Sequence, residues 1–220
     1  MTMNLFSIFD PSTMFVNNWV SLFMCFLVLP FFFWLVYGRL GFASKSLIDY
    51  VFLEFKPLLK FSFALILVVS TFFVILLNNV FGLLPYVFCA SSHMSFTLSL
   101  ALIGWGSMML YGVLLNYKNL LIHLIPTGTS PALMPFMVLV ETISNVIRPL
   151  TLSIRLCANM IAGHLLITLL GSAVLSSVYY FKSFVVIGMT ALMLLEVAVA
   201  FIQAYVFGML LTLYAAELSS

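Results

Sequence analysis

The sequence predicts an all-α membrane protein with about five membrane-embedded helices and one amphipathic helix on the membrane surface. Of its 220 residues, 65% are hydrophobic and only 6% are charged, whereas soluble domains carry roughly 25% charged residues. Its apolar runs are continuous and longer than barrel strands, in which polar and apolar residues alternate over about ten positions. Because every backbone polar group in lipid must be paired within the chain, such runs predict helices.

The length indicates one membrane domain, whose first half predicts three spans and the surface helix. Residues 14–37, 61–84 and 94–116 are each long and apolar enough to cross a hydrocarbon core about 30 Å thick. Residues 41–60 instead interleave basic, acidic and apolar side chains, and residues 38–60 hold half of all Lys and Arg. This mixture is typical of an amphipathic helix that lies on the membrane surface.

The second half predicts two long helices, at 134–170 and 179–218. Each segment approaches 40 residues, or roughly 55–60 Å of helix at 1.5 Å per residue, although a helix along the membrane normal needs only about 20 residues. Pro149 alone predicts a kink rather than a turn. We therefore expect a hairpin of two steeply tilted helices.

The distribution of basic residues predicts the topology. The segment 38–60 is the most positive and should face the compartment of synthesis. The N-terminus and the loop near His93 then lie on the opposite side, and the C-terminus lies on the same side as 38–60. The first basic residue is Arg39, so a positively charged signal or an Arg-rich presequence is absent before it. An organelle protein with this pattern is expected to be made inside the organelle.

The strongest functional signal is a polar stripe on the first long helix. Charged groups deep in lipid cost about 2.5 kcal/mol or more and point to function by default. At about 100° per residue, seven positions fall within roughly 40° of one line along this helix. They are Glu141, Ser144, Arg148, Thr151, Arg155, Asn159 and Ala162.

Arg155 separates this stripe from an ordinary structural one. Polar stripes also join helices by interhelical hydrogen bonds, and that alternative would explain most of the seven positions. Arg155, however, has no acidic residue three or four positions away, and a guanidinium is not deprotonated in a protein. The sequence therefore predicts an acidic partner from another helix or another subunit.

The last helix adds further candidates. Glu196 and Gln203 are seven residues apart and share one face with Ala200, while His164 lies opposite Arg155 on the preceding helix. Glu and His inside a membrane are the usual components of a proton relay. A histidine satisfied by contacts within the bundle remains open as the alternative for His164.

Other polar residues are expected to have plain structural roles. His93 and His123 fall in predicted loops and are expected to be exposed, whereas Asn78 and Asn79 are expected to make hydrogen bonds at a helix end. The three cysteines lack the close spacing of a metal site or a disulfide framework. Cys25, Cys89 and Cys157 are therefore expected to be small buried side chains.

Six stretches carry a recognisable pattern. They are Phe-Asp-Pro-Ser at 9–12, Asn-Asn-Val-Phe-Gly-Leu-Leu-Pro-Tyr at 78–86, Glu-Thr-Ile-Ser-Asn at 141–145, Ile-Arg-Leu-Cys-Ala-Asn-Met-Ile-Ala-Gly-His at 154–164, Leu-Glu-Val-Ala-Val-Ala at 195–200 and Ile-Gln-Ala-Tyr-Val-Phe at 202–207. Together they resemble subunit a of the F-type ATP synthases in its animal mitochondrial form. The resemblance covers nearly the whole chain.

The resemblance implies a stator subunit with two offset proton half-channels beside a rotating ring of subunit c. Arg155 would be the essential arginine that drives protonation and deprotonation of the ring carboxylate, with Asn159 beside it. His164 and Glu196 would line the half-channel from the intermembrane space, and Gln203 would lie near the arginine. The remaining half-channel candidates are Glu141, Ser144, Arg148 and Glu217.

The resemblance also implies location and partners. The chain would be a multi-pass protein of the mitochondrial inner membrane, with its N-terminus towards the intermembrane space and its C-terminus towards the matrix. Its partners would be the c-ring, peripheral stalk subunit b, small single-helix membrane subunits, lipids and the translocated protons, without nucleic acid. No cofactor is expected, and the chain has no nucleotide-binding motif. It is therefore expected to be a non-catalytic subunit, with ATP chemistry on its partners.

Other classes of protein fit the sequence less well. Another polytopic transporter or respiratory-chain subunit is the main alternative, but a haem-bearing subunit would need paired histidines within its spans. An intramembrane hydrolase would need a Ser–His or paired-Asp site, yet Asp10 and Asp49 fall outside the predicted spans. A purely structural scaffold would not explain Arg155.

Overall fold

The fold of the chain is helical. A computed structural model describes residues 9–12, 17–23, 38–59, 62–84, 87–123, 133–176 and 179–219, and within the helices some side chains near the ends, among them His123 and Glu217, lie outside the description. In these ranges there are five α-helices and no strand. The helices are α1 Arg39–Phe55, α2 Ser62–Gly82, α3 Met94–His123, α4 Met134–Ser176 and α5 Tyr179–Ser219. The predicted all-α class is confirmed.

Four helices, α2 to α5, are long and apolar enough to cross a membrane. The predicted span at 14–37 lies outside the described residues except for 17–23, so it remains a prediction. The helix α1 passes into a 3-10 helix, Lys56–Leu58, where Pro57 ends the α-helical hydrogen bonding because proline lacks an N–H donor.

Two helices run further than the sequence predicts. The helix α3 continues to residue 123 rather than 116, and α4 continues to residue 176 rather than 170. The sequence marks where apolar character falls off, but no proline or glycine stops the helix between Val113 and His123. In α4, the Ser172 hydroxyl donates to the carbonyl of Leu169 at 2.7 Å, so this serine is accommodated inside the helix.

The helix α5 is the centre of the bundle and packs against α2, α3 and α4. The shared core draws small and large side chains from every helix. Its buried members are Phe55, Ala64, Val68, Phe72, Ile75, Ala101, Met108, Leu152, Leu156, Ala204, Phe207, Leu211 and Ala215. Phe55 at the end of α1 is 1% exposed and stacks with Tyr205 of α5 at 6.4 Å between ring centroids, so α1 is anchored to the bundle through this end.

The helices α4 and α5 form an antiparallel hairpin with a largely uncovered outer surface. With 43 residues, α4 is about 65 Å long, which exceeds the thickness of a hydrocarbon core. Only 11% of the apolar span of each hairpin helix is buried, compared with 44% for α2. The hairpin therefore presents most of its length to lipid or to another protein.

Candidate functional site

The site is built on the two faces of α4. Leu152, Leu156 and Met160 are at most 4% exposed and face the bundle, whereas Arg155 and Ala162 are exposed on the other side. The separation follows from the helical period, because residues three or four apart share a face. The predicted polar stripe thus lies on the outward face of α4.

None of the seven stripe residues is buried. Thr151, Arg155 and Ala162 are exposed, and Glu141, Ser144, Arg148 and Asn159 are partly exposed. The two stripe hydroxyls are satisfied within the helix, since Ser144 donates to the carbonyl of Glu141 and Thr151 to that of Arg148, each at 2.9 Å. The charged and amide groups of the stripe are the ones left to face outwards.

Arg155 and Arg148 differ in their partners. The Arg148 Nη2 atom lies 4.0 Å from Glu141 Oε1, and its guanidinium lies 5.3 Å from the ring centroid of Tyr214 on α5. Arg155 has no hydrogen bond, ion pair or ring contact with any described part of the chain. Its permanent charge therefore sits on an exposed face of a membrane-spanning helix without a counter-ion among the described residues.

Glu196 packs directly against Gly163, where the two hairpin helices approach closely. A Cβ atom placed on Gly163 would lie 2.6 Å from Glu196 Cδ and 3.0 Å from Cγ, so the carboxylate occupies the space that a side chain on α4 would fill. Glu196 is 5% exposed, and neither carboxylate oxygen has a hydrogen-bond partner among the described residues. The Nε2 atom of the adjacent His164 is likewise buried and unpaired.

The register of the hairpin places Gln203 near the level of Arg155. The two helices meet at Gly163 with Glu196 and again at Arg148 with Tyr214. Arg155 lies about midway between the two contact points on α4, and the midpoint on α5 falls within a helical turn of Gln203. Gln203 is partly exposed, so both groups occupy the same height of the hairpin.

The carboxylates, thiols and imidazoles do not assemble into a metal site. In the described ranges, no group of three or more His, Cys, Asp or Glu side chains could hold a metal ion.

Comparison with known proteins identifies the family. The family described as ATP synthase A chain matches residues 19–216. The ATP synthase subunit a of Locusta migratoria is 49% identical over 223 residues, covering 99% of each chain, and that of Aedes aegypti is 47% identical over 226 residues, covering 100% of each. The subunit a of Artemia franciscana is 49% identical over 219 residues, covering 99% of this chain and 100% of its own length.

The chain belongs to the ATP synthase subunit a family. It is thus a multi-pass component of the membrane sector of an ATP synthase, and the family predicted from the sequence motifs is confirmed. The match extends through α4 and α5 and includes Arg155, Glu196 and Gln203.

Two structural features of this chain were not predicted from the sequence. At His93 the sequence predicts an exposed loop residue, but in the structure its Nε2 atom is buried without a partner. Asn78 donates to the carbonyl of Val74 at 2.9 Å as predicted, whereas Asn79 is 0% exposed and neither of its side-chain polar atoms is paired among the described residues. Nothing in one sequence shows which polar residue of a helix end will be enclosed by distant segments.

Other predicted positions have simpler outcomes. Cys89 and Cys157 are buried as predicted, and Cys157 lies on the face of α4 opposite Arg155. Glu217 belongs to the last turn of α5, but its side chain and that of His123 lie outside the described residues, as does Cys25.

Proposed function

We propose that this chain carries protons through the membrane sector of ATP synthase by two offset half-channels, and that Arg155 couples their passage to rotation of a ring of subunit c. The single observation that carries the proposal is the position of Arg155. It is an exposed, permanent positive charge on a membrane-spanning helix, and the described residues supply no counter-ion. Such a charge needs an anionic partner from outside the chain.

A ring carboxylate meets that requirement and provides a mechanism. When protonated, the carboxyl group is neutral and passes through lipid with the ring. When it faces Arg155, its ionised form is stabilised by the opposite charge, so its proton is released to one half-channel and another is taken up from the second. The fixed charge of Arg155 also repels protons that would leak directly between the half-channels.

The energy scale constrains the contact between Arg155 and the ring. Moving one charge across the membrane potential provides about 2.3 kcal/mol per 100 mV. An Arg155–carboxylate attraction much stronger than this drive would hold the ring in place. The exposed, lipid-facing location of Arg155 and the small Ala158 and Ala162 beside it suit a close but breakable contact with a passing helix.

His164 and Glu196 form the half-channel from the intermembrane space in this proposal. Both present buried polar atoms without a partner among the described residues, and such atoms are normally paired by protein or by water. Glu196 lies at the α4–α5 contact, and His164 directly follows Gly163, against which Glu196 packs. Water that pairs them would also deliver protons to Glu196. Asn159 lies between this pair and Arg155 along α4. Gln203 of α5 lies level with Arg155.

The second half-channel opens to the matrix near the start of α4. Glu141, Ser144 and Arg148 lie on the stripe before Arg155, and Glu217 follows at the end of α5. Because the hairpin is antiparallel, the start of α4 and the end of α5 occupy the same end of the molecule. The partly exposed Glu141–Arg148 ion pair would remain accessible to water there.

The topology follows the distribution of charge. The N-terminus faces the intermembrane space, the C-terminus faces the matrix, and α1 lies on the matrix surface of the inner membrane. A hydrogen bond from Ser21 Oγ to the carbonyl of Phe88 at 3.2 Å supports one part of this arrangement, since it joins the N-terminal segment to the loop before α3. The further partners are peripheral stalk subunit b, small single-helix subunits and lipids, and the gene belongs to the organelle.

Replacing Arg155 tests the proposal. We expect Arg155→Gln to reduce ATP-driven proton pumping to the background of vesicles without the enzyme, because the variant keeps a polar side chain but loses the charge. Lys182→Gln is the matched control, since Lys182 is an exposed cation near the start of α5, away from Arg155. Pumping by assembled Arg155→Gln enzyme at the rate of the control would refute the assigned role.

A further inference from the structure

The outward stripe of α4 carries two guanidinium groups. Arg148 and Arg155 are seven residues apart, which places them about 10 Å apart along the helix axis and within about 20° of each other around it. The side chain of Arg155 is exposed and that of Arg148 is partly exposed. A carboxylate that passes along this face would therefore meet two permanent positive charges, although the proposed mechanism uses only one of them.

The two guanidinium groups differ in what holds them. Arg148 Nη2 lies 4.0 Å from Oε1 of Glu141, two turns earlier on the same helix. The Arg148 guanidinium carbon also lies 5.3 Å from the centroid of the Tyr214 ring on α5, and a cation within about 6 Å of the face of an aromatic ring is attracted by it. Arg155 makes neither kind of contact with the described residues. The structure therefore engages one arginine and leaves the other for an outside partner.

Tyr214 can hold Arg148 because α5 is fixed by packing at this level. Its neighbours Leu211 and Ala215 are buried and belong to the same core cluster as Leu152 of α4. Tyr214 itself is only partly buried, since it lies at the edge of this contact between the two helices. The ring is thus attached to a rigid part of the bundle and reaches the border of the outward stripe.

The contact with Tyr214 also lies at a weak point of α4. Pro149 directly follows Arg148 inside the helix, and proline has no N–H to donate to the carbonyl four residues earlier. The Pro149 side chain is fully buried, so the backbone at this point is anchored while the adjacent Arg148 side chain extends from it. Loss of the Tyr214 ring would leave that long side chain with more freedom to reach outwards.

We propose that Tyr214, together with Glu141, keeps Arg148 from binding the ring carboxylate, so that Arg155 alone makes that contact. The inference rests on the proposed function, because it states which of two arginines the passing acid meets. Tyr214 is a positioning residue in this role, since it touches Arg148 and not the ring carboxylate. No covalent bond changes and no proton is transferred.

A rotating ring would be slowed by a second strong contact. A carboxylate that left Arg155 and then bound another guanidinium about 10 Å away would be held twice, while the membrane potential supplies only a limited drive for each charge moved. The ion pair with Glu141 partly neutralises Arg148, and the Tyr214 ring holds its side chain towards α5. Both contacts therefore weaken the attraction of Arg148 for an acid outside the chain.

Tyr214→Leu is the primary test, measured as ATP-driven proton pumping by assembled enzyme in vesicles. We expect pumping to fall roughly tenfold, as for the loss of one partly desolvated cation–π contact. Tyr214→Phe keeps the face of the ring and should pump close to the unmodified rate. Tyr180→Leu is the matched control, since Tyr180 is 89% exposed near the start of α5. Unchanged pumping by Tyr214→Leu would overturn the proposal.

A double variant separates competition by Arg148 from packing between the helices. If Arg148 competes for the ring carboxylate once the Tyr214 ring is lost, then Tyr214→Leu combined with Arg148→Gln should pump several-fold faster than Tyr214→Leu alone. A Tyr214 that only joined the two helices would give no such recovery, because the second substitution removes a further contact. Equal or slower pumping by the double variant would therefore overturn the proposal. If Tyr214→Leu does not assemble with the ring, Tyr214→Met replaces it in both measurements under the same criteria.

Arg155→Gln measured in parallel distinguishes this inference from the function on which it rests. Loss of pumping in Arg155→Gln together with full pumping in Tyr214→Leu would remove the role of Tyr214 but leave the essential arginine. Full pumping in Arg155→Gln would remove the proposed function itself.

Discussion

The hairpin carries two unpaired functional groups in opposite surroundings. Arg155 is exposed on the outer face of α4, whereas Glu196 is 5% exposed between α4 and α5. A partner of Glu196 would have to enter an enclosed space, as water would in the proposed half-channel. The partner of Arg155 approaches from outside and can be a whole helix. The proposed function therefore assigns a conduit to Glu196 and an interface to Arg155.

The helices of the bundle also differ in how much of their apolar span is buried. In α2, 44% of the apolar span is buried, and this helix ends in the core. The hairpin helices bury 11% each, although they carry the most charged and amide groups within their spans. The hairpin is therefore the part of the bundle with the largest apolar surface left for lipid or for another subunit.

The largest effect that separates the two groups is expected for Glu196→Gln. The amide keeps the size of the side chain but does not exchange protons, so proton pumping should fall by about a hundredfold or more. The thermal stability of the enzyme should instead increase, because the variant removes a buried carboxylate that has no partner among the described residues. Pumping in vesicles and thermal unfolding of the assembled enzyme measure the two effects.

Glu54→Gln provides the matched control for that experiment. Glu54 is an exposed carboxylate on α1, and its replacement should leave pumping and unfolding temperature close to those of the unmodified enzyme. A Glu196→Gln enzyme that pumps normally would show that the enclosed carboxylate is not on the proton path, and a lower unfolding temperature would show that it has a partner.

A smaller effect is expected at the contact that encloses Glu196. In Gly163→Ala the new Cβ atom would lie 2.6 Å from Glu196 Cδ, so the carboxylate or the helices must shift. We expect a destabilisation of about 1–3 kcal/mol, typical of overpacking, with a several-fold loss of pumping. Gly171→Ala on the same helix has nothing within 4 Å of the new atom and should be neutral or stabilising by up to about 1 kcal/mol. Equal behaviour of the two variants would contradict the close approach at Gly163.

These contacts also mark the limit of what the sequence predicts. The stripe around Arg155 follows from the 3.6-residue period, which needs only local order, and the structure places it on one outward face. The contact of Gly163 with Glu196 depends on the register between two helices, and one sequence carries no record of register. The ring contact of His93 with Trp19 joins residues more than seventy positions apart. The lengths predicted for α3 and α4 were too short because a helix can continue beyond the end of its apolar run.

The smallest effect is expected for substitutions of Cys157, on the inner face of α4. Its thiol donates to the carbonyl of Ser92 at 2.9 Å in a buried position, and this bond ties the segment before α3 to the inner face of α4. Cys157→Ser keeps a donor of similar size and should change pumping and unfolding temperature little. Cys157→Val removes the donor and leaves a buried carbonyl unpaired, at a cost of about 1–3 kcal/mol.

The pair of variants therefore isolates the hydrogen bond from the volume of the side chain. Thermal unfolding of the two assembled enzymes should place Cys157→Val below Cys157→Ser, while any fall in pumping stays well short of that in Glu196→Gln, because Cys157 itself transfers no proton. The opposite order of stability would mean that the enclosed region tolerates an unpaired carbonyl, as it would if water from the half-channel already reaches Ser92. Water of the proposed half-channel would then reach the inner face of α4 at Cys157, next to the core residues Leu152 and Leu156.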